Sequence, residues 1–341
     1  MPRTPIPCPD AVPDTPAGAG SGTLARMDDR GFGWDRYVAW LVERSGSLTA
    51  VADRLAAARG YDDDVGTVER ALRRLRTRAQ EPGGKWGERA VRLFGLPDAV
   101  DARIRWMGAY HSRFTDLPVP VCEDLIRAWD APPITDARGA RSWLALARVT
   151  VAMRRRDLDA TVIHLAAVPD TAELAPEVRI EAWLSHAFVA SRRDPPAVDG
   201  WLERIGELLD AIADPEERAN LHARWIDHRG YELNHQRGAR GPDPAAAERV
   251  YLEIPEVGPP FASARRSNGL AWCRWKLGRV DEALRCAERA ADHAGDGGHV
   301  RLRAMALAMV ARIDPTRTDA RDRARAIAAS LDDEILKLRF R

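Results

Sequence analysis

His222, His228 and His235 fall in one stretch of helical spacing together with Asp227 and Asn234, and imidazoles beside a carboxylate are the raw material of a metal site. Their spacing argues against that use. At about 100° per residue His228 and His235 share a face two turns apart while His222 points elsewhere, so one ion would need further ligands. Surface or packing histidines are expected, with no metal and no other cofactor. Cys273 and Cys286 come nearest to a redox pair, but neither belongs to a CxxC, and with Cys8 and Cys122 they outline no disulfide framework. Buried free thiols in a reducing cytoplasm are the better reading.

Other reaction signatures are missing as well. There is no GxxxxGK[ST] loop, no HExxH, no GxSxG and no strand leading into GxGxxG, and the pair Gly84 and Lys85 lacks both the flanking glycine and the following hydroxyl of a phosphate loop. No catalytic residue is assigned, and the chain is expected not to be an enzyme. Lys and Arg number 52 against 51 Asp and Glu, a formal charge of +1, which excludes a protein that coats nucleic acid or a membrane surface along its whole length. No apolar run reaches the roughly 18 residues that a membrane crossing needs, and the N-terminal stretch has no apolar core of a secretion signal.

Helices must position whatever these residues do, because strand-like alternation is scarce. Residues 1–30 carry Pro2, Pro5, Pro7, Pro9, Pro13 and Pro16 followed by Gly18, Gly20 and Gly22, a composition that reads as a disordered tail. Residues 31–131 read as a helical module with helices at Trp34–Ser45, Ser47–Arg59, Val65–Gln80, Trp86–Phe94, Ala99–Tyr110 and Val121–Trp129. Ser47 and Asp64 stand where caps of the second and third helices belong. Pro132 and Pro133 mark the boundary with the rest of the chain.

The first three helices resemble a trihelical, helix-turn-helix-like unit, whose third helix would enter the major groove of DNA with Arg70, Arg73, Arg74, Arg76 and Arg78. Eight basic residues against three acidic ones lie between Gly66 and Arg92. Against it stand the long connection Gly60–Gly66 and its Asp62, Asp63 and Asp64, which would repel DNA. Only Lys85, Lys276 and Lys337 are lysines, so arginine clusters reflect general usage in this chain as much as any surface.

Beyond residue 136 the chain reads as a succession of helix pairs. In Asn268–Ala290 the residues Leu270, Ala271, Leu277, Gly278, Glu282, Ala283, Leu284, Ala287 and Ala290 take the places of the packing residues of a tetratricopeptide repeat. Ala271, Ala283 and Ala290 would allow close helix crossing, and Gly278 the turn. Weaker copies at Trp143–Val168, Val178–Ile212, Arg218–Ile254 and Val300–Leu331 recur at about 37–43 residues, longer than the 34-residue period of that family. The chain from 136 to 341 is thus similar to a tetratricopeptide solenoid: consecutive hairpins would build a curved rod, with Asp332–Phe340 capping its open end.

What that resemblance implies is a concave surface that binds a peptide or protein segment, with Asn side chains satisfying the peptide backbone and aromatic or Arg residues holding its side chains. Arg224, Tyr231, Asn268, Trp272 and Lys276 are the candidates. The expected class is all-α, a helical bundle followed by the solenoid. The expected function is a cytoplasmic scaffold or adaptor with a protein or peptide partner and no membrane, and homo-oligomerisation is compatible with it. The alternative is a DNA-binding transcription regulator, whose plan of helix-turn-helix head and ligand-sensing solenoid the chain resembles.

Overall fold

A computed structural model describes residues 31–58, 63–235 and 241–339. The expected tail, Arg59–Asp62, residues 236–240 and residues 340–341, with the end of the expected helix Asp332–Phe340, lie outside these. The protein is all-α: among the described residues there are seventeen α-helices and no strand. The N-terminal six are α1 Trp34–Ser45, α2 Leu48–Ala56, α3 Val65–Leu75, α4 Gly84–Phe94, α5 Asp98–Gly108 and α6 Val119–Trp129. Ser47 accepts the Ala50 amide at 3.0 Å and Asp64 the Thr67 amide at 3.0 Å, so both caps act as their side-chain oxygens allow. The apolar spacing of α1 buries Trp34, Tyr37, Val38 and Leu41 completely. Helix α3 stops at Leu75, five residues short of the expected end, because the last of its apolar stripe lies there.

Five hairpins follow: α7 Arg138–Arg155 with α8 Leu158–Ala166, α9 Pro176–Arg193 with α10 Val198–Leu208, α11 Pro215–His235 with α12 Pro244–Leu252, α13 Pro260–Lys276 with α14 Val280–Asp296, and α15 Val300–Ile313 with α16 Thr318–Ser330. Each packs on the next, first helix against first helix and second against the following first. In α14 the buried stripe is Ala283, Cys286, Ala287, Ala290, Ala291 and Ala294, one helical face made almost wholly of alanine. Small side chains let α13 and α15 both lie close against it. Gly278, between α13 and α14, holds φ at +78°, a conformation that costs side-chain-bearing residues about 1–2 kcal/mol.

The first helices of α7, α9, α13 and α15 are buried on nearly every side, since each meets its own partner and two neighbours. One apolar core runs without a break from Phe32 through α7 to Val189 of α9, and the later hairpins carry three further clusters. Among the described residues no helix is long and apolar enough to cross a membrane.

A curved rod with a capped open end is not what forms. The last helix, α17 Glu334–Leu338, packs on α7, the first helix of the array, so the curve closes on itself. The Val119 amide donates to Leu331 O at 3.0 Å, and the Arg301 amide at the start of α15 donates to the Asp116 carboxylate at 2.7 Å. The concave side therefore becomes the wall of a chamber open at its rim.

Candidate ligand-binding chamber

The chamber has a volume of about 400 Å3 and is lined by α7, α9, α11, α13, α15 and the segment around α17, with Tyr110 entering from the connection after α5. That size lies within the roughly 300–1,000 Å3 of small-ligand sites. The lining helices run in the same direction, because each is separated from the next by one antiparallel partner. Their successive turns therefore form tiers.

At the floor Arg224, Arg265 and Arg301 converge on the Tyr110 ring, their guanidinium carbons 4.5, 5.9 and 5.6 Å from its centroid. All three arginines are buried. Arg301 also donates to the phenol oxygen at 2.6 Å. Burial alone would raise the Tyr110 phenol, but Arg301, Arg265 and Arg224 outweigh it and its pKa falls below the ordinary value. Arg224 pairs with Glu181, and Arg265 pairs with Asp227 at 2.7 Å. Asp333 accepts from both Arg154 and Arg301, at 3.0 and 2.8 Å.

In the middle tier stand Phe188, His228, Asn268 and Met305. Burial, with Arg224, Arg265 and Arg192 nearby, depresses His228 to about 4, so it is a neutral imidazole at neutral pH. Ser185 and Ser191 turn their hydroxyls onto the Glu181 and Phe188 carbonyls at 3.0 and 2.9 Å, which commits both to helix backbone rather than to a neighbouring base. At the rim Arg192, Tyr231, Arg312 and Arg339 are exposed.

Four of the five expected peptide-binding residues, Arg224, Tyr231, Asn268 and Trp272, come together in this one chamber. Their tasks differ from expectation. Arg224 is committed to Glu181 and Tyr110 rather than free to hold a ligand side chain. Tyr231 stacks on His235 at 4.1 Å, and His235 stacks in turn on Trp272 at 5.5 Å. With Arg312 and Lys276 also against the indole, 5.3 and 5.2 Å from its centre, Trp272 is a wall and not an open stacking platform. Its Nε1 is buried without a partner, as is Oδ1 of Asn268. Lys276 lies outside the chamber lining, over Trp272 and Trp275, because it closes α13 one turn beyond the rim.

The three histidines are separated as their spacing implies. His222 lies against Trp225 at 5.7 Å, His228 lines the chamber and His235 joins the aromatic column. No metal-holding group of His, Cys, Asp or Glu occurs among the described residues. Cys273 and Cys286 are buried free thiols, and burial raises Cys273 to about 11; Cys8 lies outside the described residues.

In the expected DNA face Arg70, Arg73 and Arg74 are exposed on α3, with Arg73 paired to Glu69. Arg76 and Arg78, also exposed, fall at and beyond the end of that helix, and Arg78 donates to the Pro82 carbonyl at 2.6 Å. Asp63, before the helix, pairs with Arg89 at 2.6 Å, which removes part of the repulsion expected there.

Tyr110, Arg265, Arg301, Arg312 and Arg339 were not singled out by sequence, and Arg154, which in the run Arg154, Arg155, Arg156 reads as part of a solvated helix end, is buried instead. A signal for some of them existed: Arg224, Arg265 and Arg301 recur at the hairpin interval, 41 and then 36 residues apart, as do Tyr231 and Trp272, 41 apart. Tyr110, Arg154 and Arg339 carry no such mark.

A second buried network ties the floor to the N-terminal helices. His111 Nε2 lies 2.9 Å from Glu217, and its Nδ1 forms an ion pair with Glu181 at 3.4 Å. Burial would depress the imidazolium, but the two carboxylates outweigh it and raise His111 to about 9, while Arg224 and His111 overcome burial to lower Glu181 to about 2. Because the folded pKa lies above the ordinary His value of about 6.5, this stability is complete below that pH and is lost as pH climbs through about 9. Urea unfolding of wild type is expected to weaken between pH 6.5 and 9.5 by more than that of His111→Gln; parallel profiles would contradict it.

No protein-family model, no curated protein and no solved structure matches the chain.

Proposed function

We propose that the chain is a non-enzymatic binding protein, an adaptor or scaffold of the cytoplasm, whose chamber receives a short peptide segment. The observation that carries this reading is the convergence of successive hairpins on one space, which Tyr231, Asn268 and Trp272 line together. A peptide segment presents N–H and carbonyl groups of the kind that a side-chain amide such as that of Asn268 pairs with.

The array is read as tetratricopeptide-like, supported by the buried Ala271, Ala283 and Ala290 and by the Gly278 turn. The three buried free thiols suit a reducing compartment. The partner is then limited to what the chamber admits, a chain end or a narrow loop rather than a long segment lying across an open groove.

The test is retention of short peptides from a protease-digested cell extract on immobilised protein, read by mass spectrometry. Wild type is expected to retain a defined set that Met305→Trp, which fills the middle tier, and Asn268→Leu both lose while keeping their helical content. Identical sets on all three proteins would discard the chamber as the binding site.

A further inference from the structure

Seven arginines line the chamber: Arg154, Arg192, Arg224, Arg265, Arg301, Arg312 and Arg339. The carboxylates that answer them are Asp227 in the wall and Glu181 and Asp333 directly behind it, and these serve the four buried arginines, Arg154, Arg224, Arg265 and Arg301. At the rim the accounting is different. Among the described residues no side-chain ion pair joins a carboxylate to Arg312 or Arg339, although both residues line the same space. Arg312 rests on the Trp272 indole at 5.3 Å, and Trp272 and Asn268 line the space with it.

Cations left together in a confined place repel one another more strongly than on an open surface, because less water screens them. Arg301, Arg312 and Arg265 are the like charges that bear on Arg339. Such an arrangement is unfavourable in the empty protein and favourable around a negative charge. Guanidinium groups meet carboxylate and phosphate oxygens with paired, charge-assisted hydrogen bonds, about twice as strong as neutral ones.

We infer that the occupant of the chamber carries an oxyanion, a carboxylate or a phosphate, seated at the rim between Arg312 and Arg339, with the neutral part of the ligand reaching inward past Trp272 to Asn268. This rests on the chamber being the binding site and adds the chemistry of what it takes. The neutral His228 beneath adds no charge of its own, and the floor arginines, already paired, provide a positive field without competing for the ligand.

Arg312→Gln/Arg339→Gln in the full chain separates this from a structural role. Without anions the double variant is expected to melt no lower than wild type, since two like charges have gone. Phosphate, compared with chloride at equal ionic strength, is expected to raise the melting temperature of wild type, with an apparent affinity about tenfold weaker in the variant. Equal anion responses in the two proteins, or a variant that is destabilised yet keeps its response, would overturn the inference.

Tetrapeptide pools with free C-terminal carboxylates, run beside the same pools amidated, distinguish the sources of the oxyanion. Retention of the free acids alone identifies a carboxylate. A phosphate response specific to wild type with neither pool retained keeps the oxyanion seat and removes the peptide reading. Acids and amides retained equally, by wild type and variant alike, keep the peptide reading and remove the oxyanion seat.

Discussion

Replacing Asp333 by alanine is expected to lower the stability of the folded chain by about 3–5 kcal/mol, as removal of one member of a buried ion network does when it leaves the opposite charges unpaired. Asp333 is fully buried, and the charges it would leave are two: Arg154 of α7 and Arg301 of α15, which reach it from the first and last hairpins of the array. Its other oxygen accepts the Leu336 amide at 3.0 Å and so also begins α17. Burial opposes the charge of this carboxyl, but Arg301, the Leu336 amide and Arg154 outweigh it and hold its pKa below the usual carboxylate range.

The contribution of Asp333 is therefore present above the ordinary Asp pKa of about 3.9 and is lost as pH falls through its lower folded value. Arg154 also donates to the Leu117 and Leu331 carbonyls at 2.8 and 3.0 Å, so the loss of Asp333 loosens the seam where the array closes. Urea unfolding at neutral pH measures the loss. Hydrogen exchange should place the earliest opening at α17 and the end of α7. A change below about 1 kcal/mol, or opening spread evenly over the hairpins, would contradict a latch at this position. Asp333→Asn, which keeps acceptors but no charge, should fall between.

Gly269→Ala is expected to destabilise by about 2–3 kcal/mol despite the better helix propensity of alanine, which returns about 1 kcal/mol. The Tyr251 ring is inserted between two helices at glycines. A Cβ on Gly269 of α13 would stand 2.1 Å from the ring's Cε1, and one on Gly230 of α11 2.4 Å from its Cε2. Both contacts are far inside van der Waals distance. The ring cannot swing away freely, because it is fully enclosed and its hydroxyl donates to Asp227 at 3.1 Å, the carboxylate that also holds Arg265.

A displaced Tyr251 would thus disturb the floor of the chamber as well as the α11–α13 crossing. The decisive measurement is a double-mutant cycle. Tyr251→Leu costs stability by itself, but combined with Gly269→Ala it should cost less than the sum of the two, since the smaller side chain leaves room for the methyl group. Simple additivity would mean that the two positions do not compete for space.

Much of the helical architecture was legible because helices are read from local periodicity. Trp34, Tyr37, Val38 and Leu41 repeat at one face and are buried there; Ser47 and Asp64 precede apolar runs and cap them; Ala283, Ala287 and Ala290 mark a close crossing. Boundaries failed where a stripe ended before a breaker, as in α3, where arginines continue past Leu75 without a face to bury. Trp272 and Asn268 were found for a reason that held in part. Their spacing places them on a first helix, and first helices face inward, but which groups already hold an indole is a matter of neighbours far away in the chain.

Local order along the chain was thus determined by the amino-acid sequence itself: an all-α protein, hairpin after hairpin, with small residues at the crossings and aromatic and arginine side chains on the inner faces. Only the tertiary structure decided that the array closes, that Asp333 joins residues 154 and 301, and that Tyr110 supplies the floor of a space lined by helices from residue 138 onward. The reason is physical. Periodicity of 3.6 residues reports which side of a helix is buried, whereas the curvature summed over five hairpins depends on small packing angles at each crossing, and no single residue announces the sum.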